Sequence, residues 1–228
     1  MTFKLETWQG IAVALFVYLA VGYTNQFATE NTVSYVMDTP PLYDRGHNVL
    51  PLVPKLYADI AVVSIVAYFV LRWGIRYPKA LENYLWIVAI LFVGRVAMFT
   101  VTQIPPARPE CSSRKPGDTI RYRVFQKGWK ECKDLIYSGH TLHTVLALLF
   151  ILYLSKSVLE KFIVTIAVGI ALVLIIASRI HYTVDVLLAT FITILVFFAW
   201  PGVDNVIDNI LKGGLYGITL TQTHNLAK

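Results

Sequence analysis

Leu81–Val101 reads LENYLWIVAILFVGRVAMFTV, an apolar run interrupted only by Glu82 near its start and by Arg95 inside it. A run of roughly 20 such residues spans a hydrocarbon core as a helix, and it is too long for a strand. Similar blocks lie on either side, at Gly10–Tyr23 and Leu56–Leu71 before it and at Gly139–Leu154, Phe162–Ala177 and Val184–Trp200 after it. The 228-residue chain is 56% hydrophobic and only 15% charged, with a mean hydropathy of +0.59. A soluble domain carries about 25% charged residues. The sequence therefore predicts an all-α polytopic membrane protein, a single domain over residues 1–228 with six transmembrane helices and a tail from 201 to 228. The opening MTFKLETWQ lacks the basic n-region and cleavage site of a signal peptide, so the first block is read as a helix that stays.

With an even number of spans both termini share one side of the membrane, and the first, third and fifth loops share the other. The third loop, Pro105–Tyr137, holds eight Lys/Arg against four Asp/Glu, which by the positive-inside rule favours the cytosol. Cys111 and Cys132, the only cysteines, fall in that same loop and form a disulfide candidate, which favours an oxidising compartment. The loops RWGIRYPK and SKSVLEK are short and basic, and the net charge of +6 also suits anionic lipid.

Ionisable groups inside or at the ends of spans are costly and mark functional positions. Those singled out are Arg95, then His140 and His143 at the start of the fourth block, then Arg179, His181 and Asp185 before the sixth. His181 and Asp185 are four apart and so share a helix face. A carboxylate there either orients the imidazole for nucleophilic or acid–base work or caps a helix start. In SGHT, Ser138 is a candidate N-cap, and Gly139 lets a ligand approach a helix N-terminus that suits phosphate. His140 is the candidate acid and base; His143, one turn deeper, reads as a packing neighbour. No metal-motif spacing joins these residues, and no metal or other cofactor is expected. The basic third loop carries no nucleic-acid recognition motif and the chain has no Gly-rich phosphate loop, so neither nucleic acid nor nucleotide is expected as a partner. The oligomeric state is left open.

The pair YSGHT (137–141) and HYTVD (181–185) resembles the sphingomyelin synthase family, which is related to the lipid phosphate phosphatases. PPLYD at Pro40–Asp44 is similar to that family's proline-rich loop signature, and GRVAMFTVTQIPP at Gly94–Pro106 to its Arg-containing third helix and following loop. The resemblance implies cytosolic termini and a lumenal or exoplasmic site in the Golgi, endoplasmic reticulum or plasma membrane. It also implies transfer of a phospho-headgroup, phosphocholine first, from a glycerophospholipid to ceramide. The route runs through a phosphohistidine and releases diacylglycerol. His181 would be the nucleophile, Asp185 its orienting partner and His140 the proton donor and acceptor. Arg95 and Ser138 are expected around the phosphate, Asp44, Tyr137 and Tyr182 around a quaternary ammonium, and Arg179 among the substrate-binding residues.

Three alternatives stand beside this reading. The same exchange could take diacylglycerol as acceptor or ethanolamine or inositol phosphate as cargo; water could be the acceptor, as in a lipid phosphatase or phospholipase C; or the chain could bind lipid without catalysis. A phosphatase pattern would place an Arg several residues before the second histidine, whereas SRIHYTVD puts Arg179 two residues away. The sterile-alpha-motif domain of some family members has no counterpart in this sequence, so assembly through such a domain is not expected.

Overall fold

The computed structural model describes residues 5–31, 39–108 and 135–203, all helix, turn or irregular chain with no strand among them. Seven helices follow in order: α1 Leu5–Asn31, the short α2 Arg45–Val49, α3 Lys55–Phe69, α4 Pro78–Val101, α5 Gly139–Leu154, α6 Val158–Ala177 and α7 Thr183–Ala199. A π-helical turn, Val70–Gly74, prolongs α3. Four helical stretches are long and apolar enough to cross a membrane: Trp8–Thr29, Lys55–Gly74, Pro78–Val101 and Val158–Ala177. Gly139–Leu154 and Thr183–Ala199 are shorter apolar helices, about 24 and 26 Å long at a rise of about 1.5 Å per residue.

The apolar blocks thus reappear with shifted ends. The first grows most, from the expected Gly10–Tyr23 to Leu5–Asn31, because hydropathy stops counting where polar residues begin. Here Asn25, Gln26 and Thr29 continue the helix and turn inward, each at most 9% exposed. The α3 block runs on through Trp73, and Pro78 starts α4 at a position where a proline's missing N–H is not needed. The fourth loop at 155–157 is shorter than expected because Ser157 caps α6 by accepting from the Glu160 amide. The expected tail beyond 203, and both cysteines, lie outside the described residues.

Packing is inside-out relative to a soluble bundle. Phe16, Leu71, Phe191 and Leu195 present exposed outer faces, whereas Arg95, Thr141, Thr144, Asp185 and Thr193 are buried. Lipid supplies no hydrophobic drive between helices, so close contact and interhelical hydrogen bonds must hold them. The residues at the contacts fit that requirement: Ala14, Ala58, Ala80, Ala147, Ala171 and Ala189 are fully buried. α5 is central, touching α3, α4, α6 and α7, while α1 packs on α4. Successive long helices run in opposite directions, which brings the N-terminal ends of α3, α5 and α7 to one end of the bundle.

Candidate active site

That end gathers the residues the sequence had marked. Ser138, fully buried, accepts from the Thr141 amide at 3.1 Å and caps α5, which fixes where His140 emerges. At the start of α7, Asp185 accepts from the Tyr182 amide at 3.0 Å, completing a capping box that sets the His181 turn. The rings of His140 and His181 then face each other with centroids 5.9 Å apart and planes at 63°. His181 Nδ1 lies 3.6 Å from Asp185 Oδ2, and both side chains are at most 2% exposed. That is ion-pair range and longer than a hydrogen bond.

The second carboxylate at the site is one the sequence reading missed. Asp59 Oδ1 stands 3.1 Å from His140 Nε2, and Asp59 also lies 3.8 Å from Lys55 Nζ. Each histidine therefore has its own acid. The signal was present: Asp59 is the one acid within the Leu56–Leu71 block, and an acid inside a span is a functional candidate by default.

Arg95, 1% exposed, donates through Nε to the Tyr137 carbonyl at 2.7 Å and through Nη1 to Asn25 Oδ1 at 3.2 Å. Gly139 packs beside it, and a Cβ there would stand 3.5 Å from the guanidinium carbon, an ordinary van der Waals contact. Arg95, Gly139, His140, His143, Asp59 and Lys55 share the wall of a cavity of about 430 Å³ between α1, α3, α4 and α5. This is a volume suited to a small ligand or a lipid headgroup with part of its chain. His143 is the packing neighbour the sequence suggested: its Nδ1 pairs with the Tyr84 hydroxyl at 2.9 Å, and Tyr18 and Phe92 pack on its ring.

Asp44, Tyr137 and Tyr182, expected around a quaternary ammonium, are placed differently. The Tyr137 hydroxyl donates to the Leu91 carbonyl; burial pushes it up to about 12, against a smaller opposing effect of Arg95. The Tyr182 hydroxyl donates to the Pro105 carbonyl at 2.9 Å and accepts from the Leu42 amide at 3.0 Å. Burial is the main cause that raises its pKa, with the charges of Asp185 and Asp44 adding and the Leu42 bond opposing. Each tyrosine is 2% exposed, so neither offers a ring face to a headgroup; both instead anchor loops to helices. Ser138 likewise spends its oxygen on the cap, while the buried Thr141 hydroxyl has no hydrogen-bond partner among the described residues.

Asp44 is the centre of a clamp. It accepts from the Thr183 amide and hydroxyl, each at 2.7 Å, and from the His47 amide at 2.9 Å, so one carboxylate caps both α2 and α7. Partial burial opposes its ionisation, but these bonds, helped by His47, hold its carboxyl below the usual range. His47 Nε2 meets the His181 carbonyl at 3.1 Å and the ring packs on Tyr182. Arg179, expected among the substrate-binding residues, donates to the His47 carbonyl at 3.2 Å. Its φ of 54° is a left-handed conformation uncommon outside glycine, and it turns the chain sharply into His181. The loop-one strap thus holds the His181 turn in place.

Comparison with known proteins agrees with this arrangement. Residues 131–201, which carry both histidine motifs, match the family described as PAP2 superfamily C-terminal. Phosphatidylcholine:ceramide cholinephosphotransferase 1 of Caenorhabditis elegans is 28% identical over 191 residues, covering 71% of this chain and 40% of that protein. The chain is thus similar to ceramide phosphotransferases of the sphingomyelin synthase kind, and over residues 131–201 to the PAP2 superfamily. A phosphatidylethanolamine:ceramide ethanolaminephosphotransferase of Trypanosoma brucei brucei is 33% identical over 119 residues, covering 49% of this chain and 37% of the relative. Phosphatidylcholine:ceramide cholinephosphotransferase 2 of Macaca fascicularis is 25% identical over 219 residues, covering 84% and 58%. The chain spans less than two thirds of the length of each of these relatives. The four long apolar helices, together with these similarities, support a multi-pass membrane protein.

Proposed function

We propose that this protein is a sphingomyelin synthase family member that transfers a phospho-headgroup from a glycerophospholipid to ceramide, with phosphocholine as the first candidate cargo and diacylglycerol as the released product. The observation that carries the reading is the facing pair His140 and His181, 5.9 Å apart, each with a carboxylate partner. The rings are close enough for one phosphate to meet both.

In the first half-reaction a His181 nitrogen attacks phosphorus. Asp185 faces Nδ1, so Nε2 is the attacking atom, and Asp185 stabilises the positive charge the ring gains. The bond from phosphorus to the glycerol oxygen breaks as His140 gives that oxygen its proton, and diacylglycerol leaves. In the second half the ceramide hydroxyl attacks phosphorus, His140 takes its proton, and the phosphorus–nitrogen bond breaks. One imidazole acting as acid and then base returns to its starting state after each cycle. Asp59 stabilises His140 while it is protonated, and Arg95 balances phosphate charge from the cavity wall.

Six helices would cross the membrane, with α5 and α7 shortest because they begin at the recessed site. The Lys/Arg count of the third loop favours the cytosol for the site's end, but the two cysteines in that loop and the family resemblance support a site on the lumenal or exoplasmic face of the Golgi, endoplasmic reticulum or plasma membrane. A site that opens among lipid tails meets an acceptor alcohol more readily than water, which favours transfer over hydrolysis.

Headgroup choice is open between choline and ethanolamine, since relatives named for each are similar to this chain. The test is product analysis: purified protein with labelled phosphatidylcholine, phosphatidylethanolamine or phosphatidylinositol, each with ceramide or diacylglycerol. Transfer yields a new phospholipid and diacylglycerol; release of free headgroup as the main product supports hydrolysis instead. A folded His181→Ala variant that keeps full exchange would sink the phosphohistidine scheme.

A further inference from the structure

At the far end of the bundle a second cavity, of about 570 Å³, lies along α3 and α6. Arg72, Tyr68 and Glu160 stand at its mouth, and Ile65, Val164 and Ala167 line it further in. From Ser64 to Arg72 the lining follows α3 and its π-helical extension for eight residue steps, about 12 Å along the axis. Leu159 and Ile163, which are 68% and 55% exposed, border it on the side where lipid would lie. It is a groove that runs from a polar rim into apolar depth.

The rim carries an asymmetry of charge. Glu160 is fully engaged, accepting from Tyr68 at 2.6 Å, Trp73 at 2.9 Å and Ser155 at 2.5 Å. Its carboxylate is pinned to the protein and is not available to an incoming cation. The Arg72 guanidinium carbon lies over the Trp73 ring, 4.8 Å from its centroid; Arg72 also acts on Tyr68 and feels the charge of Glu160, but no carboxylate among the described residues pairs with it within ion-pair distance. In and beside the two short loops at this end lie Arg76, Lys79, Lys156 and Lys161, and Glu82 there is paired with Lys79 at 2.7 Å. A guanidinium fork above an apolar groove, with its neighbouring carboxylate already satisfied, has the chemistry to take a phosphate oxygen pair whose acyl chain fills the groove.

We propose that the α3/α6 groove is a binding site for an anionic glycerophospholipid of the membrane leaflet opposite the histidine site, its phosphate on Arg72 and one acyl chain against Ile65, Val164 and Ala167. Arg72 is thirteen residues along α3 from Asp59, about 20 Å away, so this lipid is not the one that reacts. The site depends on α3 and α6 crossing the membrane, and not on the transfer chemistry.

The test uses the purified full chain in nanodiscs of equal phosphatidylcholine and phosphatidylglycerol, released into native mass spectrometry. The expected result is one phosphatidylglycerol retained at least fivefold over phosphatidylcholine. Arg72→Gln and the groove-filling Ala167→Phe each lower that retention at least fivefold, while Arg76→Gln on the same rim and His140→Ala stay within twofold. Arg72→Lys, which keeps the charge, guards against a folding artefact and is expected to retain an intermediate amount. Millimolar glycerol 3-phosphate is expected to displace nothing, because it has no chain for the groove. Equal retention of the two lipids, wild-type retention in Arg72→Gln, an equal loss in Arg76→Gln, or displacement by glycerol 3-phosphate would each overturn the proposal.

Discussion

Replacing Asp59 by Asn removes the negative charge that faces His140 and keeps the side chain's shape. The contact is 3.1 Å between His140 Nε2 and Asp59 Oδ1, a distance at which hydrogen bonds to charged groups are worth about 1.5–3 kcal/mol. The Asp59 side chain is 37% exposed, so solvent screening favours the lower part of that range, about 1.5–2 kcal/mol. At about 1.4 kcal/mol per tenfold in rate, kcat should fall roughly 10- to 30-fold. The assay is transfer of headgroup to a fluorescent ceramide in mixed micelles, followed across pH, with thermal unfolding as the check on folding. A positioning role predicts a fall in kcat with little change in KM, a displaced pH profile, and recovery in Asp59→Glu. An Asp59→Asn enzyme with unchanged kcat and an unchanged pH profile would refute the assignment of Asp59 to His140.

Three further outcomes follow from the clamp around His181. Asp44→Ala removes an acceptor of three hydrogen bonds and should cost about 2–4 kcal/mol of stability, given bonds to a charged but partly exposed group, read as a lowered unfolding midpoint. Because the carboxyl of Asp44 is lowered from its ordinary value of 3.8, its contribution is complete above that value and is lost as pH falls through the folded-state value. Below about pH 4 the gap in stability between wild type and Asp44→Ala should therefore narrow, and a gap that widens on acidification would contradict the clamp. His47→Ala should lower kcat about tenfold by freeing the His181 carbonyl, an effect of roughly 1–1.5 kcal/mol for one hydrogen bond. His47→Gln, which keeps a donor, should recover part of the rate in the same assay. Gly46→Ala would drive a methyl group into the Thr183 hydroxyl, with Ile176 Cγ2 2.9 Å away, so activity and unfolding midpoint should fall together; a wild-type midpoint would show that α2 is not seated on α7 as described.

His140 and His181 were legible as candidates because each sits in a short polar motif against an apolar background, where an ionisable group stands out. Ser138 as N-cap and His143 as neighbour also followed from local rules. The aromatics beside the motifs were less legible: Tyr137 and Tyr182 look like headgroup contacts in the sequence, and only the packing reveals that their hydroxyls bond to the Leu91 and Pro105 carbonyls. Arg179 looks like a substrate contact in the sequence, and only the fold reveals that its backbone turn brings it to His47.

The sequence by itself determined that the chain enters the membrane, roughly where its helices lie, and which residue types could act on a phosphate. Those properties depend on composition and on neighbours within a few positions, and so survive without knowledge of the fold. Only the tertiary structure decided which acid serves which histidine. Asp59 and His140 are 81 residues apart, and His47 and His181 are 134 apart, pairings that local periodicity cannot encode. They arise because alternating helix directions bring the starts of α3, α5 and α7 to one end of the bundle, where a strap from loop one closes over the His181 turn.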